Sequence, residues 1–148
     1  MLDLIIKNGK CYIDGQLKDV NISVKDGKIQ KIGQITEDAK DTIDATGLIV
    51  LPGCMDTQTH FREPGSTDTE DLHSGSRAAI VGGITSVFEM PNTNPPTSTK
   101  KEFQRKLDLA KNRMYCNYAC YFGATADNAN ELADLKNLEG CCGIKLFA

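Results

Sequence analysis

Apolar residues in the first fifty positions come in short runs separated by turn-forming pairs. Leu4-Ile5-Ile6, Val20-Asn21-Ile22-Ser23-Val24, Ile29 to Ile32 and Ile43 are too short for helices, and Asn8-Gly9, Asp14-Gly15 and Asp26-Gly27 fall between them. Short β-rich runs bounded by Asn-Gly and Asp-Gly predict strands joined by tight turns. The expectation for residues 1–50 is a meander of small antiparallel strands.

The pattern changes at Leu48-Ile49-Val50-Leu51-Pro52-Gly53, where an apolar run ends in Pro-Gly. A domain boundary is expected there, with a second domain over 51–148. Strand-like and helix-like segments then alternate: a strand over 54–60, a helix over 68–81 with Leu72, Ala79 and Ile80 on one side, and a strand over 85–90. A charged helix over 98–112 follows, capped by Ser98 or Thr99 and carrying Phe103, Leu107 and Ala110 on one face. A strand over 117–122, a helix over 128–138 and a strand over 143–147 complete a (βα)3β series, so the fold class is α/β with a parallel sheet. No Gly-rich phosphate loop follows any strand, which argues against a nucleotide-binding doubly wound sheet. A closed (β/α)8 barrel has eight strands and typically about 250 residues. The expectation is therefore a partial barrel whose first and fourth strands have open edges, which favours self-association into a homo-oligomer.

With 40% hydrophobic and 25% charged residues in 148 positions, the chain is long enough to bury a core. Its net charge of −3 comes with no basic cluster, which excludes nucleic acid and anionic membranes as expected partners and leaves a small metabolite. No apolar run is long enough to span a bilayer, and Met1-Leu2-Asp3-Leu4-Ile5-Ile6-Lys7 lacks the features of a signal peptide, so a cytoplasmic location is expected. The six cysteines lie in apolar stretches without zinc-ribbon spacing and read as reduced core thiols.

In parallel α/β folds the chemistry sits at the carboxyl ends of the strands. The first such end carries Asp56-Thr57-Gln58-Thr59-His60-Phe61-Arg62-Glu63-Pro64-Gly65, the second Glu89-Met90-Pro91-Asn92-Thr93-Asn94-Pro95, and the fourth Gly143-Ile144-Lys145-Leu146-Phe147. Period-two spacing sends Asp56, Gln58 and His60 to one face of a regular strand. Such a trio can hold a divalent metal or form a hydrogen-bonded polar cluster, and spacing alone leaves both open. The Arg62 guanidinium suits a planar carboxylate. Asn92 sits in a Pro-bounded turn where it can also bond its own backbone. His73 falls within the first helix, where solvent exposure is expected.

Taken together, Asp44-Ala45-Thr46-Gly47 with Leu51-Pro52-Gly53, the Phe-Arg-Glu-Pro-Gly of residues 61–65 and Met90-Pro91-Asn92-Thr93-Asn94-Pro95 resemble the dihydroorotases of the amidohydrolase superfamily, over essentially the whole chain. The resemblance implies a small β-sandwich, of which residues 1–50 are the amino-terminal part, beside a barrel of which residues 51–148 are the first half. It also implies a zinc-dependent cyclic amidohydrolase, holding one or two ions, that interconverts carbamoyl aspartate and dihydroorotate in pyrimidine biosynthesis. By the same resemblance His60, Gln58, Asp56 and Lys145 belong to the metal site, Lys145 as a carbamylated bridge between two metals. Arg62 and Asn92 bind the substrate carboxylate.

The family pattern has a His-x-His pair in the first strand, and here Gln58 stands at the first position. A neutral amide is a weaker zinc ligand than an imidazole. The later metal histidines and the catalytic aspartate of the pattern lie beyond residue 147, so no catalytic base is expected in this chain, which reads as an inactive portion of a longer enzyme. Two other readings stand beside this one. One is a non-catalytic homologue that serves as a scaffold for aspartate transcarbamoylase, and the other is an allantoinase or hydantoinase.

Overall fold

Asp14 and Gly15 have φ of 51° and 79°, and Asp26 and Gly27 have 50° and 72°. Positive φ at both central residues is what a two-residue hairpin needs to match the twist of its strands. These pairs build the two hairpins of the first unit of the computed structural model, which describes residues 1–147. The chain divides into two units, Met1–Pro52 and Gly53–Ala148.

The first unit contains β1 (Leu2–Lys7), β2 (Lys10–Ile13), β3 (Gln16–Asp19), β4 (Asn21–Lys25), β5 (Lys28–Gly33), β6 (Ala39–Asp44) and β7 (Ile49–Val50). They form one sheet in the order β5-β4-β1-β6 and another in the order β3-β2-β7. This departs from a simple antiparallel meander, because β1 pairs parallel with β6 and β2 pairs parallel with β7. The cause lies at Asn8-Gly9, which passes the chain from one sheet to the other instead of closing a hairpin. Asn8 has φ of 65° and donates from its side chain to Asp44 Oδ1 at 3.0 Å. Gly9 runs so close to Ala45 that a Cβ there would lie 2.8 Å from the Ala45 Cβ.

The second unit is a mixed α/β arrangement. It contains β8 (Cys54–Thr59), α1 (Leu72–Val81), β9 (Ile84–Glu89), α2 (Lys100–Ala110), β10 (Asn117–Gly123), a 3₁₀ helix (Ala129–Asn137) and β11 (Cys141–Lys145). Its sheet is parallel throughout, in the order β11-β10-β9-β8. Spatial order follows chain order, without the reversal of a doubly wound sheet. The edge strands β8 and β11 leave Met55 and Ile144 exposed, with Leu146 and Phe147 beyond them.

The helices begin later than the apolar pattern predicts, because their caps decide the first turn. Asp71 caps α1: its carboxylate accepts from Ser74 N at 2.6 Å, and Ser74 Oγ accepts from Asp71 N at 3.1 Å. Thr99, rather than Ser98, caps α2 by accepting from Glu102 N. The third helix is 3₁₀ and has no side-chain cap, since Asn128 directs its amide elsewhere.

Phe61, Leu72, Val87, Ala110 and Cys116 form one core cluster, and Phe103, Cys120, Phe122 and Leu135 another. Phe61 seats on Gly75, where a Cβ would fall 2.6 Å from its ring. This close approach sets the buried face of α1 as Leu72, Gly75 and Ser76 and leaves Ile80 exposed, contrary to the sequence expectation. All six cysteines are free; Cys11, Cys116 and Cys120 are buried, but Cys54 is exposed and does not belong to the core. Burial pushes the Cys120 thiol up to about 12 and Cys142 to about 11, so both stay protonated near neutrality.

Gly75→Val should overpack against Phe61 and lower stability by about 1–3 kcal/mol, read as a shifted urea midpoint at unchanged slope. Hydrogen bonds from Ser74 hold the Asp71 carboxyl below its ordinary value of 3.8. Because the folded value is the lower one, this cap contributes fully above the ordinary value and is lost as pH falls through the folded one. Acid titration of stability should therefore show a loss in that window that Asp71→Asn reduces.

Candidate functional site

The carboxyl ends of the four parallel strands are laced together by hydrogen bonds. Met90 N donates to Thr59 O at 2.9 Å, Gly123 N to Thr97 O at 2.8 Å, and Ala124 N to Lys145 O at 2.8 Å. The buried Asn128 amide accepts from Thr125 N and donates to Ser98 O and Gly123 O. The loops after β8 and β9 also approach closely: Asn94 N donates to Pro64 O at 2.9 Å, and a Cβ at Gly65 would lie 3.0 Å from the Asn94 Cβ. Gly65, at φ 129°, is a position that requires glycine.

Within this rim, His60 Nδ1 lies 2.9 Å from Asn92 Oδ1. With Nδ1–H donating to the amide oxygen, the lone pair sits on Nε2, the orientation that a second partner imposes on a metal-binding or proton-accepting histidine. Asn92 is therefore not confined to its own turn. It lines an open concavity of about 140 Å³ with Phe61, Arg62, Pro64, Gly65, Ser66, Thr93 and Asn94. Arg62 is exposed there and makes no salt bridge among the described residues. His60, Arg62 and Asn92 thus share one place.

Neither Asp56, Gln58 nor Lys145 makes a hydrogen bond to these three side chains. The β8–β9 pairing shifts register between Asp56 and Thr59, which breaks the even alternation that placed Asp56, Gln58 and His60 on one face. Asp56 Oδ1 accepts from Gln58 N at 2.9 Å, and Gln58 is exposed. Lys145 ends β11 with its Nζ 5.3 Å from the Phe147 ring centroid. It stands on the edge strand opposite β8. Among the described residues no three His, Cys, Asp or Glu side chains are arranged to hold a metal ion. The donors of this chain do not by themselves fit a zinc ion. His73 is exposed, as expected, and its Nε2 lies 3.1 Å from the Tyr115 hydroxyl.

Two ion pairs behind the rim were missed by sequence reasoning. Glu89, the last residue of β9, and Lys106 of α2 are 2% and 0% exposed and meet at 3.2 Å. Glu89 Oε2 accepts from Phe61 N at 3.0 Å, and Lys106 Nζ donates to Met90 O at 2.7 Å. Burial pushes the Glu89 carboxyl above its ordinary value, while Lys106 and the Phe61 N–H pull it back. The second pair anchors the loop after β8. Arg113 binds Glu63 through both guanidinium nitrogens at 2.8 and 3.0 Å, and Glu63 Oε2 accepts from Leu72 N at the start of α1. The available signals were Lys106 on the Phe103–Ala110 stripe of an amphipathic helix, and Glu89 set between Phe88 and Met90.

A parallel sheet with an imidazole, a guanidinium and an amide assembled at its carboxyl rim is the arrangement of an α/β enzyme site. The chain belongs to the amidohydrolase family, whose model matches residues 49–140. It is 43% identical over 146 residues to an allantoinase of Escherichia coli O1:K1 / APEC and 42% identical to an allantoinase of Salmonella choleraesuis (strain SC-B67), covering 98% of this chain in each case. It spans about a third (32%) of the length of these curated relatives. Among solved structures it resembles the L-hydantoinase (dihydropyrimidinase) of Arthrobacter aurescens, with a TM-score of 0.88 and 34% identity over 97% of this chain and 32% of that one. A D-hydantoinase gives a TM-score of 0.78 at 31% identity, over 95% and 32%. These relatives are allantoinases and hydantoinases, which corrects the emphasis on dihydroorotase. Within the Phe-Arg-Glu-Pro-Gly motif, Phe61 and Glu63 are buried supports of the loop.

Glu63→Ala should strand Arg113 and the Leu72 N–H, costing about 2–3 kcal/mol by chemical denaturation. The double variant Glu63→Ala/Arg113→Ala should cost less than the sum of the two single ones.

Proposed function

We propose that the protein carrying this chain is a cyclic amidohydrolase that opens an allantoin- or hydantoin-type ring. The observation that supports this most strongly is the alignment of 98% of the chain with allantoinases at 43% identity, a span that includes the His60–Asn92 rim. On this reading the β8–β11 sheet is the first half of a (β/α)8 barrel and residues 1–50 are part of a β-sandwich, with the rest of the site supplied by the remainder of the enzyme.

Hydrolysis of a cyclic amide breaks a C–N bond and yields a carboxylate. Arg62, exposed beside the concavity, is assigned to that carboxylate, where its planar fork gives two parallel hydrogen bonds. Asn92 holds His60 by accepting from Nδ1–H through Oδ1, and its Nδ2 hydrogens are assigned to a ring carbonyl. His60 Nε2 is the atom assigned to the reacting side. We assign His60 to a zinc site of the whole protein, with Gln58, Asp56 and Lys145 as its weaker members. The set is incomplete in this chain, and the roles of Arg62 and Asn92 do not depend on it. A link to aspartate transcarbamoylase rests on Gln58 alone and is the less supported reading.

The test is a substrate panel on the full-length protein. Allantoin or a hydantoin should be hydrolysed with the highest kcat/KM, and dihydroorotate more slowly. His60→Ala should lower kcat/KM by about a hundredfold or more, consistent with loss of a group at the reacting centre. Preference for dihydroorotate would restore the dihydroorotase reading, and a folded protein inert towards the whole panel would favour a non-catalytic role.

A further inference from the structure

We propose that the buried Lys106–Glu89 pair is a positioning device for the rim, holding His60 and Asn92 in register from behind. The inference rests on the reading of those two side chains as the working groups of this chain.

The pair reaches the peptide units on either side of the His60–Asn92 contact. Glu89 Oε2 accepts from the N–H of Phe61, the residue directly after His60. Lys106 Nζ donates to the carbonyl of Met90, two residues before Asn92. The two side chains meet at 3.2 Å, so the backbone after β8 and the backbone after β9 are joined through a single buried bridge. Beside this bridge, the bond from Met90 N to Thr59 O and the His60–Asn92 contact itself cross the same point.

Stability alone does not explain the pair. Burying two charges is costly, and a well-packed apolar replacement of similar volume is often neutral or stabilising. Both groups make a further bond to backbone, and both of those bonds go to the rim. Lys106 also sits on the apolar stripe of α2 beside Phe103 and Ala110, where an aliphatic residue would extend the core. The charge is placed where it can reach Met90.

Two variants of the full-length enzyme test this. Lys106→Met with Glu89→Gln removes the charges together and avoids a stranded ion, while Glu89→Asp keeps the charge but withdraws the carboxylate from Phe61. Hydrogen exchange should rise in segments 60–66 and 90–97 while Asn117–Gly123 keeps its protection. Turnover of allantoin or a hydantoin should lose about tenfold or more in kcat per folded molecule, the scale of a small misplacement of reacting groups. A merely structural pair would raise exchange throughout the sheet and lower kcat only in proportion to the fraction folded. That result, or a folded variant with unchanged rim exchange or unchanged kcat, overturns the proposal. If the parent enzyme turns over none of the cyclic amides, the functional reading fails, and rim exchange alone decides the positioning.

Discussion

The contact that ties the rim of the second unit together is an ion pair with almost no access to water. Lys106 and Glu89 join α2 to the end of β9, and through Phe61 and Met90 they fix the path of two loops. An ammonium and a carboxylate withdrawn from solvent must each find every available partner, since an uncompensated buried charge costs several kcal/mol. That demand leaves little freedom in the backbone they bind. The rim geometry follows: Phe61 is held over Gly75, the loop after β8 turns back towards α1, and His60 is left facing Asn92.

Much of the architecture was legible from periodicity. Four strands and their order could be read because strand-like segments alternate with helix-like ones between turn or cap residues, and two hairpins because Asp-Gly imposes its own turn. What could not be read was long-range pairing. Nothing local in Asn8-Gly9 distinguishes a hairpin from a corner, and only the approach of Ala45 and Asp44 decides it. Helix starts were shifted by Asp71 and Thr99, whose side chains set the first turn against the wider apolar pattern.

The site was legible in part, and the reason is geometric. His60, Arg62 and Asn92 could be placed at one rim from the sequence because each follows a strand closely, where fold class predicts position. Asp56 and Gln58 lie at a register shift that strict alternation cannot anticipate, and Lys145 lies on the opposite edge of the sheet. The choice of substrate suffered from a different confusion. Phe-Arg-Glu-Pro-Gly looks like a marker of chemistry, yet its Phe61 lies in the core and its Glu63 is bound by Arg113, so both serve the packing of the loop.

Glu63 and Arg113 stand fifty positions apart in the chain, yet a fork of two hydrogen bonds makes them one unit. Replacing either alone leaves a charged group with its partner gone, so a paired change costs less than the two single ones together. Arg62, adjacent in the chain but turned outward, carries no such debt to the scaffold. The loop therefore sets a locked residue and a free one side by side, and a change at the free position leaves untouched the fork by which the loop is held.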